Sequence, residues 1–136
     1  GAVIDTTFSE PVGPTMIQLT EAGRTDPLLA GMPERFEAFV GHKEAVARLP
    51  EHAVLLASSA ACPVQMFRVR ENLYATQFHP ELDLAGLSTR VQTYREYGYF
   101  APEEADAVLD RAAGADVDAS HRVLTAFVRR YAVARP

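Results

Sequence analysis

Hydrophobic positions change their spacing once along this chain, near Leu84. Before that point they alternate or run continuously, as strands require. After it they step by three and four, as helices require. Residues 15–20 alternate, and residues 35–40 place Phe36, Ala38 and Val40 on one face, so both stretches predict strands. Residues 53–57, Ala-Val-Leu-Leu-Ala, are apolar throughout, the pattern of a strand covered on both faces and central to a sheet. Residues 63–69 and 73–78 flank the polar Arg70-Glu71-Asn72 and predict a β-hairpin or meander. Between these strands, residues 21–25 turn the chain. Asp26 caps a short helix that has Pro27 at its first position and stops at Gly31. Residues 44–49 predict a helical turn closed by Pro50, and residues 1–14 an irregular lead-in. Leu84, Leu87, Val91 and Tyr94 mark one helix ending near Gly98. A second starts at Pro102, turns Ala105, Val108, Leu109 and Ala112 inward and stops at Gly114. A third, from Asp118 or Ser120, is expected to bury Val123, Leu124, Phe127, Val128 and Tyr131. Residues 15–81 therefore carry the strands and residues 82–136 the helices of a single domain.

Composition narrows the function classes. The chain has 136 residues, 48% of them hydrophobic and 23% charged, with a formal net charge of -5, which suits one soluble domain. The acidic balance argues against gripping nucleic acid or an anionic membrane surface, since both need a basic face. No apolar run approaches a membrane span, and no basic region followed by an apolar core opens the chain. The one cysteine, Cys62, has no partner for an internal disulfide, which fits a reducing, cytoplasmic setting. A small molecule or another protein is the expected partner. No cofactor is expected.

The chemistry concentrates at Gln77-Phe78-His79-Pro80-Glu81, where a β-leaning run ends and a loop begins. A neutral imidazole acts as a base through one nitrogen when an acceptor holds the other. His79 and Glu81, two residues apart along an extended backbone stiffened by Pro80, have the spacing of a base and its orienter. Read alone, the triplet also fits a purely structural pair. His42 and Lys43 sit at the end of the second predicted strand, after Gly41, which lets the backbone approach a ligand closely. His52 and His121 read as surface or cap residues. A metal site from His42, His79 and Glu81 matches on ligand type but lacks zinc-like spacing.

Gln77-Phe78-His79-Pro80-Glu81 resembles the histidine and glutamate motif of class I glutamine amidotransferases. The resemblance extends upstream through Ile17-Gln18-Leu19-Thr20, Asp26-Pro27-Leu28, Gly41-His42-Lys43-Glu44-Ala45-Val46, Val54-Leu55-Leu56-Ala57-Ser58 and Cys62-Pro63-Val64-Gln65-Met66-Phe67. The tail, with Arg90, Tyr94 and Gly98-Tyr99-Phe100, is similar to the stand-alone, GMP-synthase-like branch. The resemblance implies a flavodoxin-like α/β three-layer sandwich with a mixed β-sheet, of which the N-terminal part is missing here. It also implies hydrolysis of the glutamine side-chain amide by a Cys-His-Glu triad, with ammonia passed to an acceptor or synthase partner. His79 would be the base and acid, Glu81 its orienter, and His42 and Lys43 would lie beside the bound glutamine. The family's nucleophile sits in a Gly-x-Cys-x-Gly elbow, and no such pattern occurs in this chain. Cys62 lacks flanking glycines and is followed by Pro63, which has no N–H for an oxyanion hole, so it is expected to be a buried apolar residue. The fragment alone is therefore expected to be inactive. The apolar central strand also needs cover, from a missing N-terminal segment or a partner chain. The competing readings are a non-catalytic amidotransferase-like binding module and a γ-glutamyl hydrolase-like cysteine hydrolase.

Overall fold

The structure, a computed structural model, describes residues 1–97 and 101–132. Five strands form one sheet in the order β3-β2-β5-β6-β7: β2 (Glu10–Leu19), β3 (Arg35–His42), β5 (Ala53–Ser58), β6 (Met66–Val69) and β7 (Leu73–Thr76). Every pairing in this sheet is antiparallel. The apolar strand β5 occupies its middle, as its composition predicts. A separate two-stranded ribbon pairs β1 (Val3–Asp5) with β4 (Ala45–Arg48).

Residues 1–14 are thus not an irregular lead-in, and residues 44–49 are not a helical turn. Ile4 pairs with Val46 across the ribbon, so two short β-branched stretches complete each other. Neither is long enough to show a period by itself. Strand β2 also starts five residues earlier than its alternation suggests, because a bulge interrupts the pairing between Glu10 and Gly13.

Helices cover both faces of the sheet. On β3, Phe36, Ala38 and Val40 join Ile17, Leu19, Leu56 and Met66 in a core closed by Val123 of α4 (Asp118–Tyr131) and by Leu28 and Leu29 of a 3₁₀ turn at Pro27–Leu29. Phe39, on the opposite face of the same strand, packs with Leu87 and Val91 of α2 (Leu84–Glu96) and with Ala105, Val108 and Ala112 of α3 (Pro102–Ala113). The alternation of β3 therefore feeds two cores, one on each side, and a three-layer arrangement results. On β5 the double cover reaches Leu56 and Ala57, whereas Ala53, Val54 and Leu55 are half-buried.

Local chemistry fixes the connections. Thr20 caps the single turn α1 (Glu21–Thr25) by accepting from the Gly23 amide at 3.0 Å, and its hydroxyl donates to the Leu55 carbonyl at 2.7 Å. Asp26 accepts from the Leu28 amide at 2.9 Å, the cap its sequence position predicts. It also accepts from Arg68 at 2.8 Å and Tyr74 at 3.0 Å, which ties the 3₁₀ turn to the β6-β7 hairpin.

The helical patterns are right in place but too generous in burial. Leu84 and Tyr94 on α2, and Leu124 and Val128 on α4, are exposed. Helix α4 instead turns a narrow stripe inward, Ala119, Ser120, Val123 and Ala126, while Phe127 and Tyr131 lean edge-on or tilted against Tyr74. The predicted stop of α2 at Gly98 lies outside the described residues, as do Tyr99 and Phe100. No helix among the described residues is long and apolar enough to cross a membrane.

Candidate functional site

His79 lies just past β7, and its backbone is pinned to the sheet. Its amide donates to the Phe39 carbonyl at 2.8 Å, an isolated antiparallel bridge between the loop and β3. Phe78 and Pro80 on either side are buried, so the loop is anchored at both neighbours while the His79 ring stays half-buried. The ring's Nδ1–H donates to Glu81 Oε1 at 2.8 Å. The extended spacing therefore brings the two together as the sequence suggests. Arg90, on α2, donates to the ring's other nitrogen, Nε2, at 3.2 Å, and lies 4.0 Å from Glu81 Oε1. A guanidinium only donates, so in this arrangement Nδ1 carries the proton and Nε2 the lone pair. Beyond Glu81, the Leu82 carbonyl accepts from His121 of α4 at 2.9 Å, so His121, read as a surface or cap residue, helps hold the loop.

His42 stands at the strand end its sequence position suggests, with a buried partner that the sequence did not show. It ends β3 with its side chain almost entirely buried, and its Nε2–H donates to Glu10 Oε2 at 2.8 Å. Glu10, 5% exposed, also accepts from Gln65 at 2.5 Å and from Ser59 at 3.1 Å. Both carboxylate oxygens are thus satisfied, the condition for burying a charge. Glu10 stands at the start of β2, opposite His42, where the pairing register shifts before Gly13. A Cβ at Gly41 would sit 2.8 Å from a methyl of Val12, so the close approach of β2 also needs glycine there. The network was hidden in the sequence because Glu10 falls 49 residues from Ser59 and 55 from Gln65. His42 Nδ1 and Gln65 Oε1 are buried without a hydrogen-bond partner.

Glu10, Pro11, Val12, Gly41, His42, Lys43 and Tyr94 line a cavity of about 390 Å³, the size of a small-molecule site. Lys43 is exposed at its wall. Tyr94 follows Arg90 by one helical turn on α2, so one face of that helix borders both His79 and the cavity.

Cys62 is fully buried beside Glu10 and His42, with ligand atoms of the three within 4.8 Å of one another. This donor set differs from the His42, His79 and Glu81 grouping weighed on ligand type, and the Glu10 oxygens are already engaged by protein donors. Burial pushes the Cys62 thiol up from its ordinary value, and Glu10 adds to the effect against a smaller lowering from the backbone at Val64. The thiol therefore keeps its proton in the fold, contrary to what a nucleophile needs. The unfolded chain releases the proton near pH 9.0 and the folded chain only above it, so this group's stabilisation is lost as pH rises through that window.

The comparisons with known proteins agree on a family. A glutamine-hydrolyzing GMP synthase subunit of Thermoplasma volcanium is 39% identical over 72 residues, a match covering 52% of this chain and 34% of the relative. The corresponding GMP synthase subunit of Methanoculleus marisnigri is 41% identical over 58 residues, covering 42% of this chain and 32% of the relative. The chain thus spans about a third of the length of these curated relatives. The solved structure of a glutamine amidotransferase from Thermotoga maritima superposes with a TM-score of 0.76 at 18% identity, over 96% of this chain and 54% of that one, and so shares its α/β fold. The family model for glutamine amidotransferase class-I matches residues 5–91, well over half of the chain, which therefore belongs to the class I glutamine amidotransferase family.

Proposed function

We propose that these residues are the histidine-bearing part of a glutamine amidotransferase that hydrolyses the side-chain amide of glutamine and delivers ammonia to an acceptor. The observation that carries this reading is the 2.8 Å contact of His79 Nδ1 with Glu81 in a chain of this family. In the proposed reaction His79 Nε2 accepts the proton of a cysteine thiol as the sulfur attacks the amide carbon. The same proton passes to the departing nitrogen, so ammonia leaves and an acyl thioester remains. Water, deprotonated at the same nitrogen, then attacks the thioester, giving glutamate and the free thiol. Glu81 fixes the ring's orientation and steadies the imidazolium that forms in each half.

The nucleophile belongs to sequence outside these 136 residues, because the buried, proton-retaining Cys62 faces Glu10 and His42. His42 and Lys43 border the glutamine site through the cavity they line with Tyr94. Relatives named as GMP synthase subunits stand beside relatives named simply as GMP synthases, which supports a synthase, on a separate chain or on the same one, as the destination of the ammonia.

Ammonia release from glutamine by the full-length polypeptide tests this reading. Replacing His79 by Ala is expected to lower kcat by about 10³-fold or more, whereas Cys62→Ser leaves it near the parent value. The 136-residue chain alone should show no turnover. Sustained turnover by this chain that Cys62→Ser abolishes would contradict the assignment.

A further inference from the structure

The His79–Glu81 pair stands on a short loop, and Glu81 is about half exposed. A carboxylate and an imidazole two residues apart can hold each other's orientation without being held relative to the rest of the site. Arg90 is a side chain from another element that reaches both. It reaches Nε2 of His79 at 3.2 Å and stands 4.0 Å from Glu81 Oε1. Its backbone belongs to α2, fixed by Leu87 and Val91, which are essentially inaccessible to solvent on either side of it.

We infer that Arg90 is a positioning residue for the proposed reaction: it ties the His79–Glu81 pair to helix α2 and so sets where the ring's proton-accepting nitrogen points. The inference rests on His79 acting as the base. The geometry supports a tether rather than a lasting block. Arg90 sits at Nε2 as a neutral-acceptor contact, and the nearby carboxylate oxygen offers it a stronger, charge-assisted partner when a thiol occupies that nitrogen. In that exchange Arg90 keeps hold of Glu81, and through Glu81 of His79 Nδ1, while the lone pair on Nε2 becomes free. A site held from a packed helix is placed more sharply than one held within its own loop.

The test uses the full-length polypeptide and the variants Arg90→Met and Arg90→Lys. Glutamine turnover is read together with the proton resonance of the His79 ring Nδ1–H at low temperature. Arg90→Met is expected to lower kcat by about 10- to 100-fold with KM little changed, since misplacing a base costs rate rather than ground-state binding. The ring N–H resonance is expected in the parent protein and is expected to disappear in Arg90→Met as the ring loosens and exchanges with water. Arg90→Lys, which keeps a cation on the same helix position, should restore part of both. An unchanged kcat in Arg90→Met would overturn the inference. So would a raised KM at unchanged kcat, which makes Arg90 a substrate ligand, or a ring resonance that survives the substitution. If the parent polypeptide releases no ammonia, the glutaminase reading falls, and the ring resonance in Arg90→Met still decides whether Arg90 holds His79.

Discussion

Glu10 shows how much a single residue organises here. Its carboxylate gathers His42 from the end of β3, Ser59 from just past β5 and Gln65 from the approach to β6, and it does so out of contact with water. Removing the acceptor while the donors stay buried costs far more than the bonds themselves contribute, because each donor is left desolvated. Glu10→Ala is therefore expected to destabilise the fold by about 3 kcal/mol in urea or guanidinium unfolding. A loss below about 1 kcal/mol would mean water enters and satisfies the cluster. None of this was legible in the sequence, where Glu10 stands in a Pro- and Gly-rich stretch and reads as surface. The pair His79 and Glu81 was legible, because their relation is local: an extended backbone and a proline suffice to define it. His42 falls between these cases. Its position at a strand end could be read, yet its partner lies 32 residues away, and only the sheet register brings it opposite Glu10.

At the scale of elements, what the sequence showed depended on length and period. Strands β2, β3 and β5 and the three longer helices carry enough apolar residues to display their spacing, and the hairpin of β6 and β7 announces itself through its polar turn. Strands β1 and β4 have three and four residues and acquire their identity from each other. Helix burial was overread on α2 and α4, where Leu84, Tyr94, Leu124 and Val128 stay exposed while small side chains such as Ala119 and Ala126 pack against the core. The tightest element junction is α1 against β5. A Cβ added at Gly23 would stand 2.0 Å from the Leu56 carbonyl oxygen, a backbone atom that cannot swing aside. Gly23→Ala is expected to cost about 2 kcal/mol or more, measured by thermal or denaturant unfolding. A neutral result would show that α1 can lift from the strand without consequence. The same junction ends β2 and, through the Thr20 hydroxyl, protects the Leu55 carbonyl at a point where β5 has run out of pairing with β2.

For the whole molecule, the two cores meet at β3, and the site stands where they meet. Phe39 belongs to one core and bridges by its carbonyl to His79, while its neighbours Ala38 and Val40 belong to the other. The loop of His79 is thus braced by both layers of helices, with His121 of α4 holding Leu82 from one side and Arg90 of α2 reaching the ring from the other. This chain spans about half the length of a solved amidotransferase of the same fold, and its thiol is buried in the core beside Glu10 and His42. We propose that the nucleophile is a cysteine outside residues 1–136 and that Cys62 stays in the core. Treating the full-length polypeptide with a glutamine analogue that carries a diazoketone in place of the amide, and mapping the adduct by peptide mass spectrometry, tests that assignment directly. The predicted result is a single adduct on a cysteine outside residues 1–136, formed at least about 100-fold more slowly in His79→Ala, with Cys62 unlabelled. An adduct on Cys62, or labelling that ignores His79, would contradict it.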